Sequence, residues 1–510
     1  MRYVTQRLQH AIRVATLAEG GCGRGYDAGM ATTPRTPDWV KHAVFYQVFP
    51  DRFARSERVP KPAHLEPWDD PPTVHGYKGG DLLGVVEHLD HLQALGVTAL
   101  YFNPIFQSGA NHRYHTHDYL RVDPMLGGDA ALRELLDAAH ARGMRVVLDG
   151  VFNHASRGFL QFHDVLENGS ASAYLDWWHV HGYPLGAYGE GDGTLRYEAW
   201  WNLPALPKFN TDTPAVREYL WSVGEHWLRF GVDGWRLDVP NEIDDDAFWR
   251  EFRRRCRAVN PEAYIVGELW GEAERWLQGD QFDAVMNYQV TRAILGYVAR
   301  EIDEAEVART GFGKVPSLSA QGFQKALEAE LARYHPEIAQ AQLNLLGSHD
   351  TPRALTVLRG DREALRLAFA LLFTLPGAPC VYYGDELGLA GGHDPDCRQG
   401  MPWAREDTWD RATLHWVRDL AALRHAHPAL RTGSAEVVYA HHGVVMLRRR
   451  SQDEDLLVVV NADGDHASHA LLEGVRDGVR QPLIGSGEAR VEGGRVHVRV
   501  AGRRAAVFGL

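Results

Sequence analysis

The run Val232-Asp233-Gly234-Trp235-Arg236-Leu237-Asp238 decides the fold. Its side chains alternate with the period of a β-strand, Val232, Gly234, Arg236 and Asp238 on one face and Asp233, Trp235 and Leu237 on the other. With Trp235 and Leu237 packed outward, Arg236 and Asp238 point inward. Seven further runs share this strand character: Val44–Phe49, Val97–Phe102, Arg145–Phe152, Tyr264–Glu268, Phe282–Met286, Leu343–Leu346 and Cys380–Tyr383. Amphipathic stretches lie between them, among them Leu83–Leu95, Ala130–Arg142, Pro214–Phe230, Asp246–Val259 and Asp361–Leu372. Eight strands with intervening helices predict an α/β fold, a (β/α)8 TIM barrel.

The barrel is expected over residues 39–430. Residues 1–38 lack an uninterrupted apolar run and read as a disordered N-terminal extension, with Met30 as the natural start. The stretch 155–212 is long and rich in Gly, Tyr and Trp (Trp177, Trp178, Tyr183, Tyr188, Trp200, Trp201), and reads as a small inserted domain after the third strand. Past Pro428 the pattern changes to short alternating runs, Val437–Tyr439, Val444–Arg448, Asp455–Val460 and Ala505–Phe508. They predict a C-terminal antiparallel β-domain over 431–510.

Composition narrows the partners. The 54 Lys and Arg against 67 Asp and Glu give a formal charge of -13, which repels nucleic acid and anionic membranes. The longest apolar stretch, Ala368 to Leu375, is too short to span a bilayer. Cys22, Cys256, Cys380 and Cys397 are far apart and in no paired spacing, which suits a reducing compartment, the cytoplasm, and neither a disulfide scaffold nor a zinc site. The chain carries 15 Trp, whose flat faces suit either sugar rings or a large aromatic core.

In such a barrel, chemistry gathers at the C-terminal ends of the strands. Here the third strand ends Asp149-Gly150-Val151-Phe152-Asn153-His154, the fourth ends at Asp238, the fifth runs Gly267-Glu268-Leu269-Trp270, and the seventh leads into Ser348-His349-Asp350. Neighbouring strands lie ~4.8 Å apart, so Asp238 and Glu268 can approach the ~5–5.5 Å of a retaining glycosidase pair. Asp350 would face them across the mouth. Arg236, on the same face as Asp238, is expected to hold that carboxylate ionised. Any one of these residues alone is more often a cap, a turn or a structural ion pair; their convergence on one rim is what points to catalysis.

These residues form ordered motifs, DGVFNH at 149–154, GWRLD at 234–238, GELW at 267–270 and His349-Asp350, by which the chain resembles the α-amylase family of glycoside hydrolases over about residues 40–430. Further stretches, YQVFPDRF at 46–53, LPKFN at 206–210 and YYGDE at 382–386 with GGHDPDCR at 391–398, are similar to the neopullulanase, cyclomaltodextrinase and maltogenic amylase group. The resemblance implies retaining cleavage of α-1,4 bonds in short α-glucans, with α-1,6 bonds a further option and some transglycosylation. It implies Asp238 as nucleophile, Glu268 as general acid/base and Asp350 as transition-state stabiliser. Crowding by Asp238 and Asp350 is expected to keep Glu268 protonated. Tyr114, Asp149, His154, Arg236, His349, Arg353 and Trp270 are implied as substrate-binding residues.

Several positions depart from the group. The residues ahead of Val44 are too few for the N-terminal β-domain that helps relatives dimerise, so the oligomeric state is left open. His115 stands where relatives often carry an Asp that pairs with an Arg equivalent to Arg353, and Gly271 stands where a His is common. Val239 resembles enzymes that accept α-1,6 as well as α-1,4 linkages. No cofactor is required, and calcium is not expected at the usual loop, where Arg55 and Arg58 would repel it. A trehalose-synthase-like transferase or isomerase would use the same acids, and a non-catalytic barrel scaffold is a third reading.

Overall fold

In a computed structural model, which describes residues 34–510, eight short parallel strands form one sheet in the order β6-β5-β4-β3-β2-β1-β8-β7. These are β1 Phe45–Val48, β2 Ala99–Phe102, β3 Arg145–Gly150, β4 Gly234–Leu237, β5 Tyr264–Gly267, β6 Ala284–Val285, β7 Leu343–Leu345 and β8 Ala378–Tyr382. A parallel bridge from Met286 to Leu343, with the Asn287 N–H donating to the Leu343 carbonyl at 2.8 Å, joins the two end strands and closes the barrel. Every expected strand is present, most of them shorter. The sixth keeps only two residues of the run Phe282–Met286.

The inward and outward faces of β4 fall as the alternation requires. Trp235 is fully buried against Phe152 and Phe106, while Arg236 is fully buried on the barrel side, bound to Asp149 of the neighbouring strand. Leu83–Leu95, expected as one helix, is broken into Leu82–Glu87 and Leu89–Ala94. His88 sits at the break because its Nδ1 bonds the Gly84 carbonyl and its ring packs 4.0 Å from Trp403.

The expected disorder of the extension falls mostly on residues 1–33, outside the described residues. Thr36, within the same stretch, is buried and hydrogen-bonded to Glu337 at 2.9 Å. Between β3 and helix Pro214–Phe230 the chain forms one regular helix, Leu160–Asn168, and otherwise short turns and isolated bridges packed through aromatic rings such as Trp178 on Phe209. The C-terminal region folds into a five-stranded and a four-stranded antiparallel sheet. It is joined to the barrel by Tyr297, whose hydroxyl donates to the carbonyls of Gly443 and Val460.

Candidate active site

One guanidinium organises the mouth of the barrel. Arg236 Nη1 donates to Asp149 at 2.8 and 2.9 Å and to Asp238 Oδ1 at 2.9 Å, while Nη2 lies 2.8 Å from Glu268 Oε1. Three carboxylates from β3, the end of β4 and the end of β5 therefore share one buried cation. Val239, directly after Asp238, is held at φ 34°, ψ 52°. For a β-branched residue such backbone costs of order 1–3 kcal/mol. The kink turns the Val239 N–H onto Glu268 Oε2 at 3.3 Å.

The protonation states follow from competing effects. Burial raises the Asp238 carboxyl to about 6 against the pull of Arg236, with Asp350 adding to the rise. Asp149 is likewise raised to about 6, chiefly by burial. Burial also lifts Glu268 well above the usual range, reinforced by Asp238, Asp350 and Asp149 and opposed by Arg236. The expected crowding of Glu268 by Asp238 and Asp350 is present and adds to the larger effect of burial. The expected pull of Arg236 on Asp238 is present too, but burial outweighs it.

Asp350 follows the opposite course. Burial alone would raise its carboxyl, but His349 Nε2 at 3.0 Å and Arg398 Nη2 at 3.1 Å hold it below the usual range. Gln47 donates its amide to His349 Nδ1 at 3.0 Å and to Asn103 at 3.1 Å, so Nδ1 accepts and the proton sits on Nε2. That proton faces Asp350 and the Tyr114 hydroxyl, which is 2.7 Å away. Tyr114 in turn donates to Asp149 at 2.8 Å, and its ring lies parallel to that of His349.

Most of the sequence-predicted residues meet here, with differences in position. Asp149 is 1% exposed and its oxygens are taken by Arg236, Tyr114 and Tyr101, so it positions those side chains instead of facing a ligand. His154 is buried and held neutral, its pKa lowered to about 3 by burial against a smaller opposing interaction with the Tyr114 backbone. Trp270 stacks on Tyr288 with centroids 4.0 Å apart. Arg353 does not reach the site. It is fully buried under Tyr382 and Tyr383, with Nη1 bound to Asp385 and to the Tyr383 carbonyl at 2.7 Å each. Its carboxylate partner is thus Asp385, brought to it by β8.

Sequence reasoning missed Arg398, along with Gln47, Asn103 and Tyr101, which bond His349, Tyr114 and Asp149. Besides Asp350, Arg398 bonds the His349 carbonyl at 2.9 Å and Asp394 at 3.0 Å. It lies within GGHDPDCR, so the signal was present without an assigned role.

At the loop after β1 the residues do not fit a calcium ion. Asp81 is fully buried, its oxygens taken by the Gly84 N–H at 2.7 Å, the Ser56 N–H at 2.9 Å and Lys61 Nζ at 2.6 Å. An ammonium thus stands where a dication would need open oxygen ligands. The arginines expected to repel calcium make their direct contacts elsewhere, Arg58 with Glu134 and Arg55 over the Trp68 ring, while their charge still reaches Asp81 and Lys61.

With this geometry in place, comparison with known proteins is direct. The α-amylase catalytic-domain family model matches residues 47–450. The chain belongs to the α-amylase family. A cyclomaltodextrinase from a Bacillus species is 44% identical over 457 residues, 88% of this chain and 77% of that protein. Among solved structures, a protein from Thermus thermophilus superposes with a TM-score of 0.88 at 52% identity, covering 92% of this chain and 99% of that one. A debranching enzyme from Nostoc punctiforme superposes at 0.87 with 47% identity, covering 94% and 100%. The chain is accordingly a retaining glycoside hydrolase of the α-glucan-cleaving kind.

Proposed function

We propose that this enzyme cleaves α-1,4 bonds of malto-oligosaccharides, cyclodextrins and related short α-glucans by double displacement, and also accepts α-1,6 bonds. The observation that carries the proposal is Arg236 bridging Asp238 and Glu268, two buried acids in one mouth. Glu268, the acid lifted most, starts protonated and donates to the glycosidic oxygen. Asp238, ionised at neutral pH, attacks the anomeric carbon as the C–O bond to the leaving sugar breaks. Asp350, the acid held lowest, carries fixed negative charge towards the developing oxocarbenium ion. Glu268, now a carboxylate, takes a proton from water, and the resulting nucleophile releases the sugar with its α configuration retained. A sugar hydroxyl in place of that water gives transglycosylation.

The names of the similar proteins support the substrate class, cyclomaltodextrinase for cyclic α-1,4 glucans and debranching enzyme for branch points. Lys61 on Asp81 supports activity without calcium at that loop. Cys256, Cys380 and Cys397, all free and buried, support a reducing, cytoplasmic setting. Product analysis on maltotriose, β-cyclodextrin and pullulan tests the reading. We expect retained-anomer glucose and maltose from the first two, with panose from α-1,4 cleavage of pullulan and maltotriose, cut further to maltose and glucose, from α-1,6 cleavage. Rearranged disaccharide without hydrolysis would favour an isomerase.

A further inference from the structure

Two adjacent tryptophans lead out of the catalytic mouth, and the chemistry of cleavage uses neither. Trp200 lies parallel to His154, centroids 5.2 Å apart at 17°, and Trp201 lies on Trp200 at 4.4 Å and 13°. His154 follows β3, five residues after Asp149, and lies against the backbone of Tyr114, whose hydroxyl is bonded to Asp149 and His349, so the three rings step outward from that network to solvent. The outer step is unusual in two ways. Trp201 is 66% exposed, and it sits in left-handed backbone at φ 53°, followed by Asn202 at φ 54°. The exposed part of the ring gains nothing from burial on folding, and a Cβ residue in that conformation opposes it.

The surrounding loop holds Trp201 there regardless. The Trp200 N–H donates to the Leu206 carbonyl, Asn202 to Ala199, Leu203 to Trp200 and Leu206 to Leu203, all at 2.9–3.0 Å. Ala199 bridges Pro207, and His154 bridges Lys208. Backbone strain that the rest of the fold enforces concentrates at functional positions. A core role is excluded by the exposure.

We propose that Trp201, backed by Trp200, is a sugar platform: its open face binds a glucosyl residue of the α-glucan beyond those at the cleaved bond, and so favours longer chains. The occupant is fixed by chemistry and by continuity. A neutral aromatic face suits the C–H face of a glucose ring, and the three rings start at His154, which burial keeps uncharged. The inference rests on the α-glucan reading above.

Two variants test it, because Trp201→Gly removes the ring and relaxes the backbone while Trp201→Phe keeps an aromatic face. We expect the Gly variant to melt no lower than the wild type. Its ratio of kcat/KM on maltohexaose to that on maltose should fall about tenfold, the scale of one lost aromatic contact, and the Phe variant should hold most of the ratio. Calorimetric titration of maltohexaose into Glu268→Gln, with and without Trp201→Gly, should show the same tenfold loss. Equal falls on both sugars, or an unchanged ratio, overturns the platform. Failure of Glu268→Gln itself to bind maltohexaose would instead strike the α-glucan reading.

Discussion

Replacing Asp238 by Asn separates what the site costs from what it does. In the folded enzyme burial raises this carboxyl from 3.8 to about 6. The unfolded chain therefore releases its proton first as pH rises, and stability is lost through that interval, fully so above it. At about 1.4 kcal/mol per pH unit, the interval amounts to about 3 kcal/mol at pH 7. Asn keeps the shape and an acceptor oxygen for Arg236 but has no charge to bury. The variant should gain up to about 3 kcal/mol at pH 7, and the gain should vanish towards pH 4. For a chain of 510 residues, an unfolding entropy of about 1 kcal/mol/K turns this into about 3 °C. Scanning calorimetry between pH 4.5 and 8 reads the difference, while turnover of maltotriose should fall by about four orders of magnitude or more. A variant that melts below the wild type at pH 7, or a gap that does not change with pH, would refute the reasoning.

Other consequences follow from the same contacts. Wild-type kcat/KM should rise through about pH 6 as the Asp238 and Asp149 carboxyls around Arg236 ionise, and fall again at higher pH where Glu268, lifted by burial, loses its proton; with an activated leaving group, Glu268→Gln should lack that falling limb. Lys61→Met should strand the buried Asp81 carboxylate and cost about 3–5 kcal/mol by chemical denaturation, whereas a chelator should leave the wild-type melting temperature unchanged. Arg398→Met should lower kcat/KM by about 10²-fold, because Asp350 loses its guanidinium partner; Arg398→Lys should restore part of it.

Much of this arrangement is legible in the sequence, because period-two alternation at Val232–Asp238 is a purely local signal and the barrel geometry fixes where strand ends meet. What is not legible depends on distance along the chain. Arg353 and Asp385 pair across 32 residues, and Lys61 reaches Asp81 across 20. No local pattern marks either pair, so the sequence alone puts Arg353 at the substrate and finds Arg55 and Arg58 near Asp81 without the lysine that binds it. Burial is another non-local property, which is why the lifted carboxyl of Glu268 reads from sequence as the work of its acidic neighbours. The C-terminal strand Arg495–Val500 escapes the sequence reading although Val496, Val498 and Val500 alternate strictly with polar residues. There the signal is present and the charged residues between the valines obscure it.

The proposed chemistry makes Asp238 the attacking carboxylate and Glu268 the proton donor. Trapping the covalent intermediate with 5-fluoro-α-glucosyl fluoride, followed by mass spectrometry of the digested protein, addresses these roles without reliance on mutants. The expected result is a single glycosyl ester on the peptide containing Asp238. A label on Asp350 or Glu268, or turnover of the reagent with no protein-bound sugar at any time, would contradict it.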